Sequence, residues 1–226
     1  MIKNNKINEY GDTLIENKGM GSDIASQRMD ALDNICVEHA IIACNKGNFS
    51  FIDVGCGRCA CVNRIQEVTA EYNVKRNLDA IDIGDFSSST VKDVKYIQGD
   101  MITELGKYEQ NSIDIIYSQR TIHYLPYSQA LLFLEQCNRI LKSGGILIIS
   151  ASGITSELSM EYEHKKFAID KRFTYLSDLM QEKHGIREKV CLYDMSELEK
   201  LINETGLTTQ FLNKSDFGNI KAVGKK

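Results

Sequence analysis

Residues 51–60 read FIDVGCGRCA, and this stretch decides the fold class of the chain. Apolar residues lead into a turn with two glycines and a helix-like segment follows, so the pattern predicts a strand, a loop and a helix. Gly55 and Gly57 permit backbone conformations and a close ligand approach that a β-carbon would block. Asp53 stands two residues before the first glycine, where it would repel a phosphate group. The loop therefore favours a ligand that carries positive charge.

The composition is that of an ordinary globular protein with a slightly acidic balance. The chain has 226 residues, of which 42% are hydrophobic and 26% charged, and its formal net charge is −4. This balance, without any long basic run, disfavours a nucleic-acid partner. The first residues lack the apolar segment of a signal peptide, and the apolar patch Ile146–Ile149 is too short to cross a bilayer. We therefore expect a cytoplasmic protein with no membrane association.

The seven cysteines stand at irregular spacing, which disfavours a disulfide framework. Four of them have apolar neighbours and are expected to be buried: Cys36, Cys44, Cys137 and Cys191. Cys56, Cys59 and Cys61 cluster, but no second ligand pair with metal-like spacing accompanies them, so no metal site is expected. Cys56 and Cys59 also have the spacing of a thiol–disulfide motif, which leaves redox chemistry as an alternative.

Short β-like runs alternate with helical patterns through most of the chain. The runs cover Phe49–Val54, Leu78–Ile83, Val94–Gln98, Ile113–Ser118 and Ile146–Ala151. Helices are predicted over Ser22–Cys44, Cys61–Tyr72, Tyr127–Leu141 (with Leu131, Leu132, Leu134, Ile140 and Leu141 buried), Thr155–Met180 and Ser196–Glu204. Two last runs, Leu207–Leu212 and Asn219–Val223, are predicted to pair as an antiparallel hairpin. The alternation predicts an α/β protein with a mainly parallel sheet.

We expect a single domain over residues 1–226. Its predicted parts are an N-terminal arm and helix (1–47), a ligand-binding core (48–151), a helical lid (152–193), and a terminal helix with a β-hairpin (194–226). The lid and the arm, including Tyr10 and Arg28, are predicted to enclose a second ligand, which would lie beside the ligand bound by the core.

Four polar signals fall at successive strand ends, where open parallel sheets bind their ligands. Asp53 precedes the glycine loop, and Asp82 closes the second run, where a carboxylate can accept hydrogen bonds from both hydroxyls of a ribose. Asp100 and Met101 follow the third run and can contact an adenine amino group and an adenine ring. Residues 118–124, which read SQRTIHY, follow the fourth run, where the reactive end of the ligand would lie.

Together these signals resemble the class I S-adenosylmethionine-dependent methyltransferases. The resemblance covers roughly residues 30–151 and rests on Asp53–Gly57, Asp82, Gly99–Asp100, Asp114–Tyr124 and Leu141–Ile149. It implies a Rossmann-like, doubly wound sheet of seven strands whose last strand is antiparallel, and S-adenosylmethionine as the cofactor. The sulfonium and ammonium of this cofactor suit the negative charge of Asp53. One residue departs from the pattern, because Cys59 occupies the third small position of the loop, where the family usually has glycine.

The resemblance also implies roles for individual residues. The glycine loop would contact the methionine part of the cofactor, Asp82 the ribose and Asp100 the adenine. The residues predicted to bind the cofactor are Asp53, Gly55, Cys56, Gly57, Asp82, Ile83, Asp100, Met101 and Ser118. Arg120 and Tyr124 are predicted to bind the methyl acceptor, with His123 as the base if the nucleophile needs deprotonation.

The same residues also have structural interpretations. Asp100 can cap a short helix that begins near Met101, and His123 can simply pack beneath the lid. The aromatic stripe Tyr162–Phe173 is interpreted as core rather than as a substrate cage.

The acceptor is predicted to be a small molecule. The loop after the fourth run lacks the Asn/Asp-Pro-Pro-Tyr motif of related enzymes that methylate exocyclic or amide nitrogens, and the chain has no Pro-Cys pair of the cytosine C5 type. Two alternative functions remain open. Gly55, Gly57 and Ala60 match a dinucleotide fingerprint, which suggests a nicotinamide-dependent oxidoreductase. Cys59 in the loop leaves open a non-catalytic module that binds S-adenosylmethionine.

Overall fold

A computed structural model describes residues 31–226 and the backbone of two short N-terminal strands. These strands, β1 (Lys6–Tyr10) and β2 (Thr13–Asn17), pair antiparallel in a sheet of their own. The predicted start of the first helix, at residues 22–30, lies outside the described residues, and so do the side chains of Tyr10 and Arg28.

The central sheet has seven strands. They are β3 (Phe49–Val54), β4 (Arg76–Asp82), β5 (Val94–Gln98), β6 (Ile113–Gln119), β7 (Leu141–Ala151), β8 (Thr208–Lys214) and β9 (Ile220–Lys225). Their order across the sheet is β5-β4-β3-β6-β7-β9-β8. Strands β3 to β7 pair in parallel, whereas β9 runs antiparallel to both β7 and β8. The predicted mainly parallel sheet with an antiparallel last strand is confirmed.

Helices cover both faces of this sheet, so the fold is doubly wound. They are α1 (Ala31–Lys46), α2 (Ala60–Thr69), α3 (Met101–Leu105), α4 (Tyr127–Ile140), α5 (Asp178–His184) and α6 (Met195–Glu204). Side chains alternate along β3, where Phe49 and Phe51 pack against α1 and α2, and Ile52 and Val54 face the core formed with α3, α4 and α6. Strand β3 therefore buries both of its faces, and all of its residues are buried, including the polar Ser50 and Asp53.

Two details of the core differ from the predicted pattern. Strand β7 begins at Leu141, five residues before the predicted start, because Leu141 already pairs with Ile113 of β6. In α4, Leu132 is 42% exposed, and Phe133 and Cys137 are buried instead. The helical repeat that carries Leu134 and Ile140 inward turns Leu132 toward solvent.

The segment 152–193 is not the helical insertion that the sequence predicted. In place of one helix over Thr155–Met180, it has 3-10 turns at Glu157–Ser159 and Ile169–Lys171, and α5 begins only at Asp178. The Tyr162 hydroxyl lies within hydrogen-bond distance of the carbonyls of Arg172 and Val190, the latter at 2.7 Å. Hydrogen bonds of this kind hold the backbone in turns, and they cannot be predicted from the helical periodicity of the sequence.

Arg172 anchors this segment to α6. Its guanidinium forms two parallel hydrogen bonds with Glu197, at 2.7 and 2.8 Å, and donates three more to the carbonyls of Phe167 and Leu192. Glu197 also accepts the Asp194 amide and completes the capping box that starts α6. All five donors of a buried guanidinium are thereby satisfied, which is the condition under which a buried ion pair is stable.

We expect Arg172→Lys to lower the free energy of unfolding by about 2–3 kcal/mol, because lysine keeps the charge but cannot form the fork or reach both carbonyls. The measurement is urea denaturation followed by circular dichroism. Arg187→Lys, in an exposed position of the same segment, is the matched control and should change stability little. Equal stabilities for the two variants would contradict the anchoring role of Arg172.

Candidate functional site

One cleft lies at the carboxyl ends of the parallel strands and brings the four polar signals together. It has a volume of about 1000 Å³, and a typical small-molecule site has roughly 300–1,000 Å³. Residues that follow β3, β4, β5 and β6 line it, and residues 173–189 of the insertion form its remaining wall. The cleft is therefore large enough for a cofactor and a second ligand side by side.

The glycine loop takes a conformation that requires glycine. Gly55 and Gly57 have φ angles of +70° and +49°. A β-carbon on Gly55 would lie 2.2 Å from Oγ1 of Thr121, so only glycine fits there. The amides of Gly55 and Cys56 donate to the Ile81 carbonyl, at 2.8 and 3.1 Å, and so tie the loop to β4.

Cys59 shares this left-handed geometry although it has a side chain. Its φ is +60°, it is fully buried, and it caps the start of α2. Its Sγ donates to Sγ of Cys56 across 3.6 Å, and all seven cysteines of the chain are free thiols. The hydrogen bond from Cys59, together with burial, raises the pKa of the Cys56 thiol. A redox motif needs the opposite shift, so the geometry disfavours the redox alternative.

Asp82 joins two loops at the end of β4. One carboxylate oxygen accepts the Gly57 amide at 2.8 Å, and the other accepts the Gly84 amide at 2.9 Å. Each oxygen keeps a further lone pair for a ligand hydroxyl. The neighbouring Ile83 lines the cleft with 79% of its surface exposed, which is unusual for a large aliphatic residue and provides an apolar platform beside the carboxylate.

Asp100 lies at the same edge, after β5. Its Oδ1 accepts the Thr103 amide at 2.9 Å, so Asp100 is the N-cap of α3, as its structural interpretation predicted. The cap occupies one oxygen, and Oδ2 is the one through which Asp100 can contact a ligand. Both Asp100 and Met101 line the cleft.

Asp53 is a carboxylate held in an almost dry environment. It is 2% exposed and accepts one hydrogen bond, from the Val62 amide at 3.2 Å. Burial raises the pKa of Asp53 to about 8 despite this bond, and the carboxylates of Asp33 and Asp82 contribute to the rise. A cation placed beside Asp53 would favour its ionised form.

Asp33 and Tyr117 are cleft residues that the sequence interpretation missed. The Tyr117 hydroxyl donates to the Asp33 carboxylate across 2.6 Å, and both side chains are buried where they line the cleft. Asp33 falls at the spacing of the apolar stripe of α1, three residues before Cys36 and seven before Ala40. A carboxylate at a buried position of an amphipathic helix is the signal that could have identified it.

Ser118 and His123 do not line the cleft. Ser118 is fully buried within β6, and its hydroxyl has no hydrogen-bond partner in the described part of the chain. His123 is 1% exposed, and its Nε2 lies 3.4 Å from Oγ of Ser152. Burial, with a smaller contribution from Arg120, lowers the pKa of His123 to about 3. The neighbouring residues Arg120 and Tyr124 do line the cleft.

The aromatic stripe divides between core and cleft. Tyr162 is buried in the small core of the insertion, as predicted, and Phe167 is half exposed. Phe173 lines the cleft, to which it adds an aromatic surface.

Comparison with known protein families identifies the core of the chain. Residues 52–149, which contain the glycine loop, Asp82 and Asp100, match the family model described as a methyltransferase domain. This match and the fold support the predicted resemblance to the class I S-adenosylmethionine-dependent methyltransferases. The methyl donor of this family is S-adenosylmethionine, so the predicted family and cofactor are confirmed.

Solved structures share the fold at low sequence identity. A methyltransferase from Aquifex aeolicus is 16% identical, with a TM-score of 0.55, and the match covers 91% of this chain and 98% of that one. One from Mesorhizobium loti is 13% identical, with a TM-score of 0.58 and coverages of 87% and 100%. A complex between the Haloferax volcanii Trm112 methyltransferase activator and a methyltransferase is 14% identical, with a TM-score of 0.57 and coverages of 91% and 95%. No curated protein sequence matches the chain.

Two kinds of feature are absent from the described residues. No helix there has the length and apolar character that a membrane crossing requires. No cluster of three or more histidine, cysteine or acidic side chains within residues 31–226 is arranged to hold a metal ion.

We expect binding of S-adenosylhomocysteine to depend on pH through Asp53. Because its pKa is about 8, the carboxyl of the free protein is mostly protonated at pH 7, and a bound ammonium would expel the proton. Affinity should rise about tenfold between pH 6 and pH 7 and level off above pH 8. Calorimetry in buffers of different ionisation enthalpy would measure the released proton. Asp53→Asn keeps the oxygen that accepts the Val62 amide, and its affinity for S-adenosylhomocysteine should be lower and independent of pH. An affinity of the wild-type protein that does not change with pH would contradict the role of Asp53 in binding the ammonium.

We expect His123 to destabilise the protein in acid. Its pKa is about 3 in the folded state against 6.5 ordinarily, so the unfolded chain binds more protons, and stability falls as the pH drops from about 6.5 toward 3. His123→Gln should flatten this part of the stability profile, as measured by thermal unfolding at a series of pH values. His164→Gln is the matched control, and its profile should follow that of the wild type. A His123→Gln profile that keeps the wild-type slope would show that the imidazole is not held neutral.

Proposed function

We propose that this chain is an enzyme that transfers the methyl group of S-adenosylmethionine to a nucleophilic atom of a small-molecule acceptor. One observation carries the proposal: Asp53, Asp82 and Asp100, from three successive strand ends, line one cleft together with the glycine loop. This arrangement suits a nucleoside with a cationic amino acid at its far end, because hydroxyls, an amino group and an ammonium are all donors or cations.

In the proposed complex, Asp82 accepts hydrogen bonds from the ribose hydroxyls through the lone pairs that Gly57 and Gly84 leave free. Ile83 and Met101 pack against the adenine, and Oδ2 of Asp100 accepts from its amino group. The amino-acid part lies along Gly55, Cys56 and Gly57. The predicted contact with Ser118 is not part of the proposal, because its hydroxyl is buried within the strand.

The ammonium of the cofactor is assigned to Asp53, with Asp33 beside it. Both carboxylates are buried, and Asp33 contributes to the raised pKa of Asp53. Tyr117 holds Asp33 in place through its hydroxyl. A cation between two desolvated carboxylates gains more than it would in water, because the local dielectric constant is low. Asp33 and Tyr117 are thereby added to the residues that we propose to bind the cofactor.

For catalysis we propose alignment rather than general base chemistry. The sulfonium is already a good leaving group, so the chain needs to hold the acceptor's lone pair in line with the methyl group and the sulfur. Arg120 and Tyr124 line the acceptor side of the cleft. His123 is buried, and with a pKa of about 3 its imidazole is too weak a base to deprotonate the acceptor near neutral pH. We therefore propose that His123 is not a base and that it packs against Tyr124, with the two ring centroids 4.4 Å apart.

The alternative functions fit the cleft less well. A nicotinamide dinucleotide would bring its pyrophosphate against the glycine loop, close to the buried carboxyl of Asp53. A non-catalytic module would bind S-adenosylmethionine without turnover, and a methylation assay separates it from an enzyme. The cytoplasmic location, the single domain over residues 1–226 and the absence of a nucleic-acid partner remain predictions.

The experiment that tests the proposed function is binding of S-adenosylhomocysteine to Asp82→Ala. Loss of two hydrogen bonds from a charged acceptor should weaken binding about 100-fold or more, measured by calorimetry. Asp85→Ala is the matched control: this exposed carboxylate lies three residues further on, outside the cleft lining, and accepts hydrogen bonds from the amide and the hydroxyl of Ser87. Circular dichroism would confirm that both variants fold. Retained affinity in Asp82→Ala would remove the ribose assignment, and no affinity in the wild-type protein would overturn the proposed function.

A further inference from the structure

Two parts of the cleft lining differ in charge. The lining that precedes β6 is mostly acidic, and its charged residues are Asp33, Asp53, Arg64, Asp82 and Asp100. The wall that follows β6 is mostly basic, and its charged residues are Arg120, Arg187, Glu188 and Lys189. Three aromatic residues also belong to this wall: Tyr124, Phe173 and Tyr175.

Arg120 is held rigidly at the start of this wall. It has a φ of +56°, which residues with a side chain rarely adopt. Its backbone amide donates to the carbonyl of Ser150 at 3.1 Å and to the hydroxyl of the same residue at 3.0 Å, so β7 holds the strained turn in place. Strain of this kind at the end of a strand is characteristic of residues that are positioned for a ligand.

The guanidinium of Arg120 lacks a counter-charge in the described part of the chain. Its Nε is buried and has no hydrogen-bond partner there, and none of the ion pairs of the described residues includes it. Burial is the main cause of the lowered pKa values of His123 and His184, and the positive charge of Arg120 lowers both further. A buried charge needs a counter-charge, and because Arg120 lines the cleft, an anionic ligand there can supply one to its guanidinium.

The outer part of the wall is basic as well. Arg187 and Lys189 are exposed, and Nζ of Lys189 lies 5.4 Å from the centroid of the Tyr175 ring, within the range of a cation–π contact. Glu188 stands between them in sequence. These cations would raise the local concentration of an anionic ligand at the cleft entrance.

We propose that the methyl acceptor carries an oxyanion, a carboxylate or a phosphate, that binds the Arg120 guanidinium, and a planar apolar part that packs against Tyr124 and Phe173. This inference rests on the proposed function and specifies its acceptor. With S-adenosylmethionine bound, the cleft would hold a sulfonium and the guanidinium at once. An anion between the two cations pairs with the Arg120 guanidinium and is attracted by the sulfonium.

The inference is tested on the protein saturated with S-adenosylhomocysteine. The probes are 4-fluorobenzoate and 4-fluorophenyl phosphate, with neutral 4-fluorobenzamide as the matched ligand, each titrated by fluorine NMR. At least one anion should bind about tenfold or more tightly than the amide, because charge-assisted hydrogen bonds are the stronger ones. The tighter of the two anions identifies the oxyanion.

Variants assign this preference to Arg120. Arg120→Gln should abolish it, and Arg120→Lys, which keeps the charge without the fork, should retain part of it. Lys200→Gln removes one positive charge from α6 outside the cleft lining and should bind the probes as the wild type does. The lysine variant keeps the test decisive if the glutamine variant fails to fold.

The contrary outcomes are distinct from one another. If neither anion binds more tightly than the amide while S-adenosylhomocysteine binds normally, the acceptor inference is wrong and the proposed function stands. If Arg120→Gln weakens S-adenosylhomocysteine as much as it weakens the probes, the guanidinium serves the cofactor's own carboxylate, and the inference is again wrong. If S-adenosylhomocysteine itself does not bind the wild-type protein, the proposed function is overturned, and this inference with it.

Discussion

The carboxylate of Asp82 is the interaction on which the cleft depends. Its two oxygens accept the amides of Gly57 and Gly84, so one side chain fixes both the glycine loop after β3 and the loop after β4. The parallel pairing of β3 with β4 brings these loops together, because it aligns the carboxyl ends of the two strands at one edge. In the proposed complex the same carboxylate also accepts hydrogen bonds from a ribose. Its structural role and its proposed role in recognition would therefore use different lone pairs of one group.

Patterns that are local in sequence predicted most of this fold. The strand runs, the glycine loop and the acidic strand ends each depend on a few adjacent residues. They lie close to where the sequence placed them, apart from the early start of β7 at Leu141. The segment 152–193 could not be predicted in the same way. Its conformation depends on Tyr162 and Arg172, which bond to backbone carbonyls and to a carboxylate many residues away, and helical periodicity in the sequence contains no trace of those bonds.

The candidate site shows the same division at the scale of single residues. The sequence indicated that residues 118–124 approach the ligand, and Arg120 and Tyr124 do line the cleft. The sequence could not indicate which of residues 118–124 point into the cleft. After β6 the backbone takes a positive φ at Arg120 and then enters a 3-10 turn, so the simple alternation of side chains along a strand ends there. His123 is buried for that reason, whereas Ser118 still lies within β6 and is buried there. Asp33 was missed because it lies on a helix, whereas the predicted cofactor residues all lie at or near the ends of strands.

Charge also constrains how the proposed reaction proceeds. The acidic residues of the cleft attract the ammonium, and Arg120 repels the sulfonium unless an anion lies between them. Methyl transfer converts the sulfonium into a neutral thioether, so the attraction between cofactor and acceptor disappears in the same step. The methylated product then remains bound by Arg120 and by its contacts with Tyr124 and Phe173. Because both ligands were held partly by each other's charge, transfer weakens both together, and the arrangement favours release of products over retention.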